Sequence, residues 1–575
     1  DYNSKLISKG GGIFLRSSKS IPLSAEIKQM LATEKTSMTP TELMKELLKM
    51  PVDLIWNGGI GTYVKSARET HAEVGDRAND ALRVNGGELR AKIVGEGGNL
   101  GCTQLGRIEY ASNGGRINTD FVDNVGGVDC SDNEVNIKIL LNAMVTEGEL
   151  TLKQRNRLLE EMTEEVGHIV LQDCKDQTRT ISVTQVRGAE QLKEQIRFIQ
   201  YLEKEGKLDR ALEFLPSDDE LAERLASGRA LTRPELSVLV AYAKMVLKEQ
   251  LVTPEITEDT LLSQLLIAYF PKKLQEKYSD KMATHPLRGE IIATSLANEL
   301  VNDMGLNFVQ RMQDETGASV ADAAICYTMA REVFGLAELT KSITDLNGIV
   351  PAVVQGEMLH QLRRNMRRAS RWFLRHRNRT GSIEQTVAFF KPVFEQIKDN
   401  VHLYLVEEEA KGIQSEINAL VKENVPQAVA TIVANMSTLF SALDIAQIAQ
   451  TEDKTVALVA ETYFKLGARV ELHWFLEQIS AQPVANHWQA LARAAFREEL
   501  DWQQRALSSV VLRTCSATCD AESVISQWIE INQGLLERWF HMLADFKTSQ
   551  SHEFAKFSVA LRELNLLILH CEGQK

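Results

Sequence analysis

Three glycine-rich loops that each contain an asparagine have the clearest capacity for ligand chemistry. They occupy residues 57–62 (NGGIGT), 95–101 (GEGGNLG) and 124–128 (NVGGV). Glycine lets a backbone turn sharply and approach a ligand closely, and an asparagine amide both donates and accepts hydrogen bonds. Each loop follows a short apolar run of β type. Ligands of open α/β sheets bind beyond the carboxyl ends of the strands, so we expect the three loops to line one crevice.

The second loop also imitates a dinucleotide-binding fingerprint. It follows a predicted strand, precedes a predicted helix, and has Asp120 about twenty residues further on. Glu96 argues against this interpretation, because it would place an anion inside a loop that must face a pyrophosphate. A glycine turn without any ligand is the structural alternative. Both alternatives stay open beside a site formed by all three loops.

These loops need a scaffold of alternating strands and helices. Apolar runs predict strands at 52–56, 91–94 and 116–119, and the intervening patterns predict helices at 66–83, 100–111 and 131–146. Helical crossovers of this length imply a parallel sheet, yet a doubly wound sheet usually has about five or six strands. We therefore predict an α/β fold with an incomplete, Rossmann-like parallel sheet.

The rest of the chain is predicted to be a large all-α region. Eighteen of the 34 glycines lie at or before Gly127. Capping boxes, which mark helix starts, occur at 39–42 in the α/β part and at 217–220 and 232–235 beyond it. The segment 375–382 (RHRNRTGS) is the best linker candidate. We predict an α/β domain at 1–150, a helical domain at 151–380 and a second helical subdomain at 381–575.

Composition and charge exclude several classes of protein. The 575 residues carry a net charge of −13, with 44% hydrophobic and 25% charged residues, which are ordinary values for a globular protein. The acidic balance argues against a general nucleic-acid binder, and no apolar run approaches the ~20 residues of a membrane span. Seven scattered cysteines and the lack of an export signal favour a cytoplasmic location. The first residue, Asp1, suggests a piece of a longer chain.

A basic stretch at 363–379 contains eight arginines and no acidic residue. Such a stretch is typical of an anion or nucleic-acid site. Leu362, Met366, Ala369 and Phe373, however, recur at the spacing of one buried helical face. Arginines on the other faces can pair with the surplus of acids, so we favour a contact between domains or subunits over nucleic acid. An allosteric anion site remains open.

Other familiar catalytic and metal-binding patterns are missing from the sequence. Cys515 and Cys519 lie four residues apart, but no neighbouring Cys or His completes a zinc set. The eleven histidines form no H-E-x-x-H motif, and the serines form no G-x-S-x-G motif. We therefore predict no metal site and no hydrolase chemistry.

The glycine loops stand in longer stretches that resemble a known family. The stretches WNGGIGTYVK, IVGEGGNLGCTQLGRIEY and RINTDFVDNVGGVDCSDNEVNIKILL are similar to the large-type, NAD-specific glutamate dehydrogenases of bacteria. The EGAN motif of the small glutamate dehydrogenases corresponds to residues 96–99, and their N-x-G-G-V-x-x-S motif to residues 124–131. The resemblance implies that residues 1–150 are the C-terminal part of an NAD-binding catalytic domain.

The resemblance also implies a reaction and a set of site residues. The reaction is oxidative deamination of L-glutamate to 2-oxoglutarate and ammonium with NAD, by an expected homo-oligomer without nucleic-acid or membrane partners. Val128 and Ser131 would form the wall that receives the side-chain carboxylate of the substrate. A serine hydroxyl at the start of a helix can donate to that carboxylate. The implied cofactor-binding residues are Gly58, Gly59, Gly61, Thr62, Glu96, Gly97, Asn99 and Asn124.

Two features separate this chain from the pattern of the family. Asp132 and Asn133 follow Ser131, where the small enzymes have an aromatic pair, and Asp129 precedes it. These acids would weaken binding of an anionic side chain unless a cation offsets them. The family's phosphate-binding loop, catalytic lysine and catalytic aspartate are expected upstream of Asp1, so we expect the chain alone to be inactive. The competing hypothesis is a non-catalytic helical interaction or assembly protein with a degenerate α/β remnant.

Overall fold

The computed structural model describes residues 3–376, 381–484, 487–514, 520–549 and 553–572. The chain folds as two compact units, residues 1–311 and 312–575. The first unit combines a small α/β region with helices, and the described residues of the second form helices. The predicted fold class, α/β followed by a large all-α region, is therefore confirmed. The domain boundaries at 150 and 380 stay predictions, and part of the linker candidate, residues 377–380, lies outside the described residues.

Six short strands form the α/β region. β3 and β6 are parallel, with Leu54 opposite Ile93 and Asn57 opposite Glu96. β4 and β5 are also parallel, whereas β1 and β2 pair in antiparallel fashion. The third predicted strand is reduced to a parallel bridge between Ile93 and Arg116, so β6 lies in the middle of this small sheet. The strands are β1 (Ile21–Pro22), β2 (Ser37–Met38), β3 (Leu54–Asn57), β4 (Val64–Lys65), β5 (Val84–Asn85) and β6 (Ile93–Glu96).

Helices make up most of the rest of the first unit, with short 3-10 turns at Ser4–Leu6, Arg77–Asn79 and Gly86–Glu88. The capping boxes predicted at 39–42, 217–220 and 232–235 all form. The helices are α1 (Ala25–Leu31), α2 (Pro40–Leu48), α3 (His71–Val74), α4 (Gln104–Ser112), α5 (Asp120–Asp123), α6 (Val125–Thr146), α7 (Leu152–Glu161), α8 (Thr163–Val186), α9 (Gly188–Lys204), α10 (Asp218–Ala226), α11 (Arg233–Leu251), α12 (Pro254–Thr257), α13 (Gln264–Tyr269), α14 (Lys272–Met282) and α15 (Arg288–Met304).

The helix predicted at 66–83 is wrong. A capping box between Thr70 and Glu73 starts only the four-residue α3, which ends at Gly75 in the left-handed conformation with φ of 77°. The chain then turns around the buried Arg83, whose guanidinium donates to the carbonyl of Asp76 at 2.6 Å and to the carboxylate of Asp80 at 2.6 Å. An arginine that collects backbone carbonyls holds a loop, not a helix, and helical periodicity does not reveal it.

The start of α6 also differs from the prediction. The helix begins at Val125 directly after α5, so Gly126 and Gly127 belong to its first turn instead of a loop. A Cβ at Gly126 would lie 3.4 Å from the side chain of Val170, which is an ordinary van der Waals distance, so Gly126 faces α8 without being required by the packing. Ser131 consequently lies in the second turn of α6. The prediction that it starts a helix is wrong.

A small apolar core lies under the parallel strands. Its buried members come from β4, β5, β6 and α4, and Tyr110 closes it by donating from its hydroxyl to the carbonyl of Ala91 at 2.7 Å. Burial of this kind contributes about 25 cal/mol per Å² of apolar surface. The core therefore holds the carboxyl ends of the strands in place. Its buried residues are Val64, Val84, Leu89, Val94, Cys102, Tyr110 and Ile117.

The described residues of the second unit pack as a helical array. The stripe predicted on α19 is confirmed, because Leu362, Met366, Ala369 and Phe373 are all buried. The helix α16 (Phe308–Thr316) runs across the boundary between the units. The others are α17 (Val320–Phe334), α18 (Leu336–Thr344), α19 (Ala352–His376), α20 (Ile383–Tyr404), α21 (Glu407–Lys422), α22 (Gln427–Leu439), α23 (Ala442–Thr451), α24 (Val456–Arg469), α25 (Leu472–Ala481), α26 (His487–Arg513), α27 (Ala521–Ile531), α28 (Gln533–Ser549) and α29 (Phe554–Glu572).

The described residues contain no single helix that is long and apolar enough to cross a membrane. The pair α22 and α23 has that length and apolar character when taken together, but it is bent by 52°. The described residues also contain no group of three or more His, Cys, Asp or Glu side chains arranged to hold a metal ion. Cys515 and Cys519 lie outside the described residues.

Candidate functional site

The first two glycine loops lie against each other at the carboxyl ends of β3 and β6. The backbone N–H of Gly98 donates to the carbonyl of Asn57 at 3.0 Å. A Cβ at Gly98 would lie 2.4 Å from the carbonyl oxygen of Gly59, a distance that real side chains do not tolerate. Only glycine at position 98 allows this approach. The predicted proximity of these two loops is therefore present in the structure.

Thr62 anchors the first loop from inside the protein. Its hydroxyl donates to the carbonyl of Leu100 at 2.7 Å, and its backbone N–H donates to the carboxylate of Asp76 at 2.8 Å. Its own carbonyl accepts from Nε of Arg83 at 2.8 Å. Thr62 is buried, so its polar atoms are engaged in joining the loops. Any contribution of Thr62 to cofactor binding would be through the position of this loop.

Glu96 points into the protein, not into the crevice. Its carboxylate is fully buried and accepts from Nε of Arg107 at 2.7 Å and from Nη2 at 3.0 Å. The backbone N–H of Cys102 adds a third bond at 2.9 Å. Burial raises the pKa of Glu96, and the two bonds from Arg107 oppose that shift. The expectation that Glu96 places an anion inside the loop is thus wrong. Its carboxylate lies beneath the loop, in the interior, where Arg107 neutralises it.

Two aspartates at the start of the third loop hold the second loop in place. Asp120 accepts from the backbone N–H of Leu100 at 2.8 Å, and Asp123 accepts from the backbone N–H of Glu96 at 3.0 Å. Burial raises the pKa of Asp123, while bonds from Asn118 and from the backbone of Glu96 oppose the rise. Both carboxylates bind backbone amides, as do acids that organise tight turns. They join the second loop to α5, from which the third loop follows.

The third loop meets the second through two of the predicted site residues. Nδ2 of Asn124 donates to Oδ1 of Asn99 at 2.6 Å. Asn124, Val128 and Ser131 recur at i, i+4 and i+7 along the start of α6, so they share one helix face. Val128 and Ser131 are exposed, which leaves that face open. Asn99, Asn124, Val128 and Ser131 are thus available to a ligand.

Trp56 is a site residue that sequence reasoning missed. Its side chain belongs to β3 and is 60% exposed, an unusual state for a tryptophan beside a sheet. A Cβ at Gly95 would lie 2.7 Å from its ring, and a Cβ at Gly97 would lie 2.6 Å from it. The indole therefore lies flat on the backbone of the second loop. The glycines at 95 and 97, two residues apart on one side of the strand, are the signal that could have found it.

Of the two acids expected to weaken substrate binding, Asp129 faces away from Ser131, whereas Asp132 is exposed directly beside it. Asp129 lies on the opposite side of α6 from Ser131 and interacts with Asp173 of α8 and Lys244 of α11. Burial and the neighbouring Asp129 raise the pKa of Asp173 to about 7, although the residue as a whole is exposed. Burial lowers the pKa of Lys244 to about 8, against the pull of the nearby acids. Lys244 is a cation that offsets Asp129.

The three loops suit a neutral, hydrogen-bonding part of a ligand. They contain no lysine or arginine, so they offer a phosphate no positively charged side chain. Nδ2 of Asn57 is buried without a hydrogen-bond partner, and the space above Gly59 and Gly127 is open to at least 4 Å. Amide and hydroxyl groups of a ligand would fit these surroundings, because they can pair with asparagine amides.

Comparison with known proteins places the chain in a family. The family described as bacterial NAD-glutamate dehydrogenase, catalytic domain, matches residues 1–184, and glutamate dehydrogenase, C-terminal, matches residues 228–566. The chain is 48% identical over 564 residues to an NAD-specific glutamate dehydrogenase of Pseudomonas aeruginosa. The identity is 46% over 565 residues to that of Halomonas elongata and 36% over 570 residues to that of Mycobacterium tuberculosis.

These alignments cover 98% of the chain but 35% of each relative, so the chain spans about a third of the length of the curated relatives it matches. One family description covers the α/β region with its three loops, and the other covers most of the helical region. The resemblance first seen in the loop motifs therefore extends through both parts of the chain. The chain belongs to the bacterial NAD-glutamate dehydrogenase family.

Proposed function

We propose that the α/β region forms the nicotinamide side of the cofactor cleft in an NAD-dependent glutamate dehydrogenase. The whole protein would convert L-glutamate to 2-oxoglutarate and ammonium. The observation that carries the proposal is the hydrogen bond between Asn99 and Asn124, which joins the ends of two predicted ligand loops at an open surface. Membership of the family supports the assignment.

Some of the predicted cofactor-binding residues would contact NAD directly, whereas others would hold the loops in position. NAD, when bound, accepts the hydride from the α-carbon of the substrate. Asn99 and Asn124 would donate to and accept from its carboxamide or ribose, while Gly58, Gly59 and the backbone of Gly97 would border it. Gly61 is a glycine for structural reasons, because its φ is 128° and a Cβ would lie 2.6 Å from the side chain of Asn79.

Glu96 and Thr62 would act from behind the loops. The Glu96 carboxylate holds Arg107 and the backbone of Cys102, and Thr62 holds the carbonyl of Leu100. Fixed loop geometry matters, because catalytic groups must hold a cofactor at hydride-transfer distance. These two residues are therefore positioning residues in the proposal.

The exposed face of α6 would receive the substrate. Val128 is 63% exposed and offers an apolar surface to the methylene groups of glutamate. Ser131 has a free hydroxyl among the described residues and can donate to the side-chain carboxylate. Asp129 lies on the opposite side of α6 and interacts with Asp173 and Lys244. Asp132 is exposed beside Ser131, four residues after Val128 on the same face, so a cation from elsewhere in the full-length protein would have to offset it when the substrate carboxylate binds.

The metabolic role, location and assembly of the protein are part of the same proposal. We assign it to amino-acid catabolism and nitrogen metabolism in the cytoplasm, as a Rossmann-type homo-oligomer with neither nucleic-acid nor membrane partners. Its helical region would serve assembly or control of the enzyme. The competing class, a helical interaction protein with a degenerate α/β remnant, predicts no function for Asn99, Asn124 and Ser131.

Substitution of both asparagines in the full-length protein tests the proposal. Asn99→Ala and Asn124→Ala should each lower kcat/KM for NAD by about tenfold or more, since each removes a hydrogen-bonding amide from the cofactor. Asn113→Ala changes an exposed asparagine at the end of α4 and is the matched control. The unfolding midpoint should stay the same in Asn113→Ala and change only slightly in the two site variants, because the bond between Asn99 and Asn124 is exposed. Unchanged NAD affinity and turnover in both site variants would refute the assignment.

The isolated 575-residue chain gives a second test. The catalytic lysine of the family has no matching motif in it, so it should not oxidise glutamate with NAD. A purified preparation of this chain that turns over glutamate would contradict that expectation. The full-length protein, assayed in parallel, is the positive control.

A further inference from the structure

A cluster of arginines in the second unit has more positive charge than its acids can balance. Arg368, Arg371 and Arg375 of α19 form ion pairs within this cluster, and Arg364 and Arg497 stand beside them. The sequence had left the purpose of the α19 arginines open between a contact and an anion site. We call these five arginines, together with the acids Glu315, Glu498 and Asp501, the arginine cluster.

The acids of the arginine cluster all form ion pairs with its arginines. Both carboxylate oxygens of Asp501 accept from Arg368, at 3.1 Å from Nε and 2.5 Å from Nη2. Glu498 lies 3.1 Å from Arg371 and 2.5 Å from Arg375. Each of these acids therefore has an arginine partner on α19. Glu315 completes the set, 3.0 Å from Arg371.

Arg497 of α26 has no acidic partner in the arginine cluster. Within the part of the chain that the structure describes, its guanidinium makes no hydrogen bond and no ion pair. Burial and the positive charges of Arg368, Arg364 and Arg371 lower the pKa of Arg497 to about 10, and Asp501 opposes this only in part. Nε of Arg371 is also buried without a hydrogen-bond partner. Oε2 of Glu315 and Oε1 of Glu498 are likewise buried without a hydrogen bond, although they lie 3.0 and 3.1 Å from Nη1 of Arg371 as ion pairs. The cluster is therefore incompletely hydrogen-bonded, and among the described residues its unpaired charge is the positive charge of Arg364 and Arg497.

An anion would resolve this imbalance. A guanidinium withdrawn from water is costly unless a negative charge accompanies it. Five arginines face three carboxylates, an excess of two positive charges, and a phosphate group carries about −1.5 to −2 at neutral pH. The planar fork of arginine also matches the geometry of phosphate oxygens. Arg364 is exposed, so the cluster has an edge that solvent and ions reach.

We propose that Arg364, Arg371 and Arg497 form a binding site for a phosphate group in the second unit, separate from the cofactor loops. The phosphate is either free inorganic phosphate or the phosphate of a nucleotide. It bridges α19 and α26 by accepting from the donors that the acids leave unused. This site goes beyond the proposed dehydrogenase function, because the cofactor loops lie in the first unit.

Calorimetric titration of the full-length protein tests the site. Inorganic phosphate and AMP are titrated separately, in chloride buffer at constant ionic strength and with saturating NAD present. Saturable binding of at least one of them is expected. Arg497→Gln should weaken that binding by about tenfold or more, since it removes a charge-assisted donor. Arg364→Gln should weaken it less, because Arg364 is exposed and screened by water.

Two controls keep the result unambiguous. Arg538→Gln removes an exposed arginine that lies 2.9 Å from Glu563, so it changes net charge equally and should leave phosphate affinity the same. If Arg497→Gln fails to fold, the exposed Arg364→Gln carries the test. The proposal is overturned if neither anion binds, if NAD displaces the bound anion, or if both cluster variants bind it with parental affinity.

Discussion

Arg107 holds the carboxylate of Glu96 with two hydrogen bonds, at 2.7 Å from Nε and 3.0 Å from Nη2, in the interior beneath the second glycine loop. Asp120 lies 3.2 Å from the same guanidinium and accepts from the backbone of Leu100. A single arginine therefore connects the end of β6 with the loop and with α5. The geometry of the proposed cofactor surface depends on this interior contact.

Arg107→Met should destabilise the protein strongly. It leaves the fully buried Glu96 without its cation, and loss of one partner of a buried pair costs about 3–5 kcal/mol in the free energy of unfolding. Urea denaturation followed by circular dichroism measures the change. Lys92→Met is the control, because its pair with Asp53 is exposed, and such pairs contribute about 0–1 kcal/mol. Equal effects of the two substitutions would contradict the interior role of Arg107.

Gly98→Ala should disrupt the junction between the first two loops. The added Cβ would lie 2.4 Å from the carbonyl oxygen of Gly59, so the loops must separate, at a cost of about 1–3 kcal/mol. Gly59→Ala provides the matched control, since a Cβ there meets nothing within 4 Å. The midpoint of thermal unfolding should therefore fall in Gly98→Ala and stay near the parental value in Gly59→Ala. A Gly98→Ala variant as stable as Gly59→Ala would show that the loops yield without cost.

His376 should make the second unit sensitive to acid. Its ring stacks on Trp372, and its Nε2 lies 2.9 Å from Nη2 of Arg505. Burial, then the charge of Arg505, lowers its pKa from 6.5 to about 4. A lowered pKa means that the folded state binds fewer protons than the unfolded state. The resulting stability is complete above pH 6.5 and is lost as the pH falls toward 4, by roughly 3 kcal/mol.

The variant His376→Gln tests that assignment. Glutamine keeps an acceptor for Arg505 but does not titrate, so unfolding free energy should depend less on pH between 6.5 and 4 than in the parent. Urea denaturation at several pH values in this window gives both slopes. Identical slopes would assign the acid sensitivity to other groups.

Much of the fold was predictable because local patterns and tertiary structure agree. The capping boxes at 39–42, 217–220 and 232–235 form because a threonine or serine and a glutamate three residues later satisfy orphan amides within one turn. The buried stripe of α19 follows directly from helical spacing. The ends of β3 and β6 were placed well because glycines follow them, whereas the strand predicted at 116–119 is only a bridge at Arg116.

The errors have a common physical origin in contacts between distant residues. The direction of the Glu96 side chain depends on Arg107, and the loop that replaced the predicted helix at 66–83 depends on the buried Arg83. Neither contact leaves a periodic trace in the sequence. The adjacency of Asn99 and Asn124 was expected from sheet geometry, whereas the roles of the individual site residues stay predictions.

Ser131→Ala in the full-length protein examines the proposed substrate wall. The hydroxyl lies on the open face of α6 that also carries Asn124 and Val128, while Asp129 lies on the opposite side of the helix. A hydrogen bond to a carboxylate is worth about 1.5–3 kcal/mol, so KM for glutamate should rise about tenfold or more. The dissociation constant for NAD should stay unchanged, because the cofactor contacts other loops. Cys130→Ser, which alters the adjacent exposed residue, is the control. If Cys130→Ser raised KM as much as Ser131→Ala does, the result would contradict a specific contact between Ser131 and the substrate.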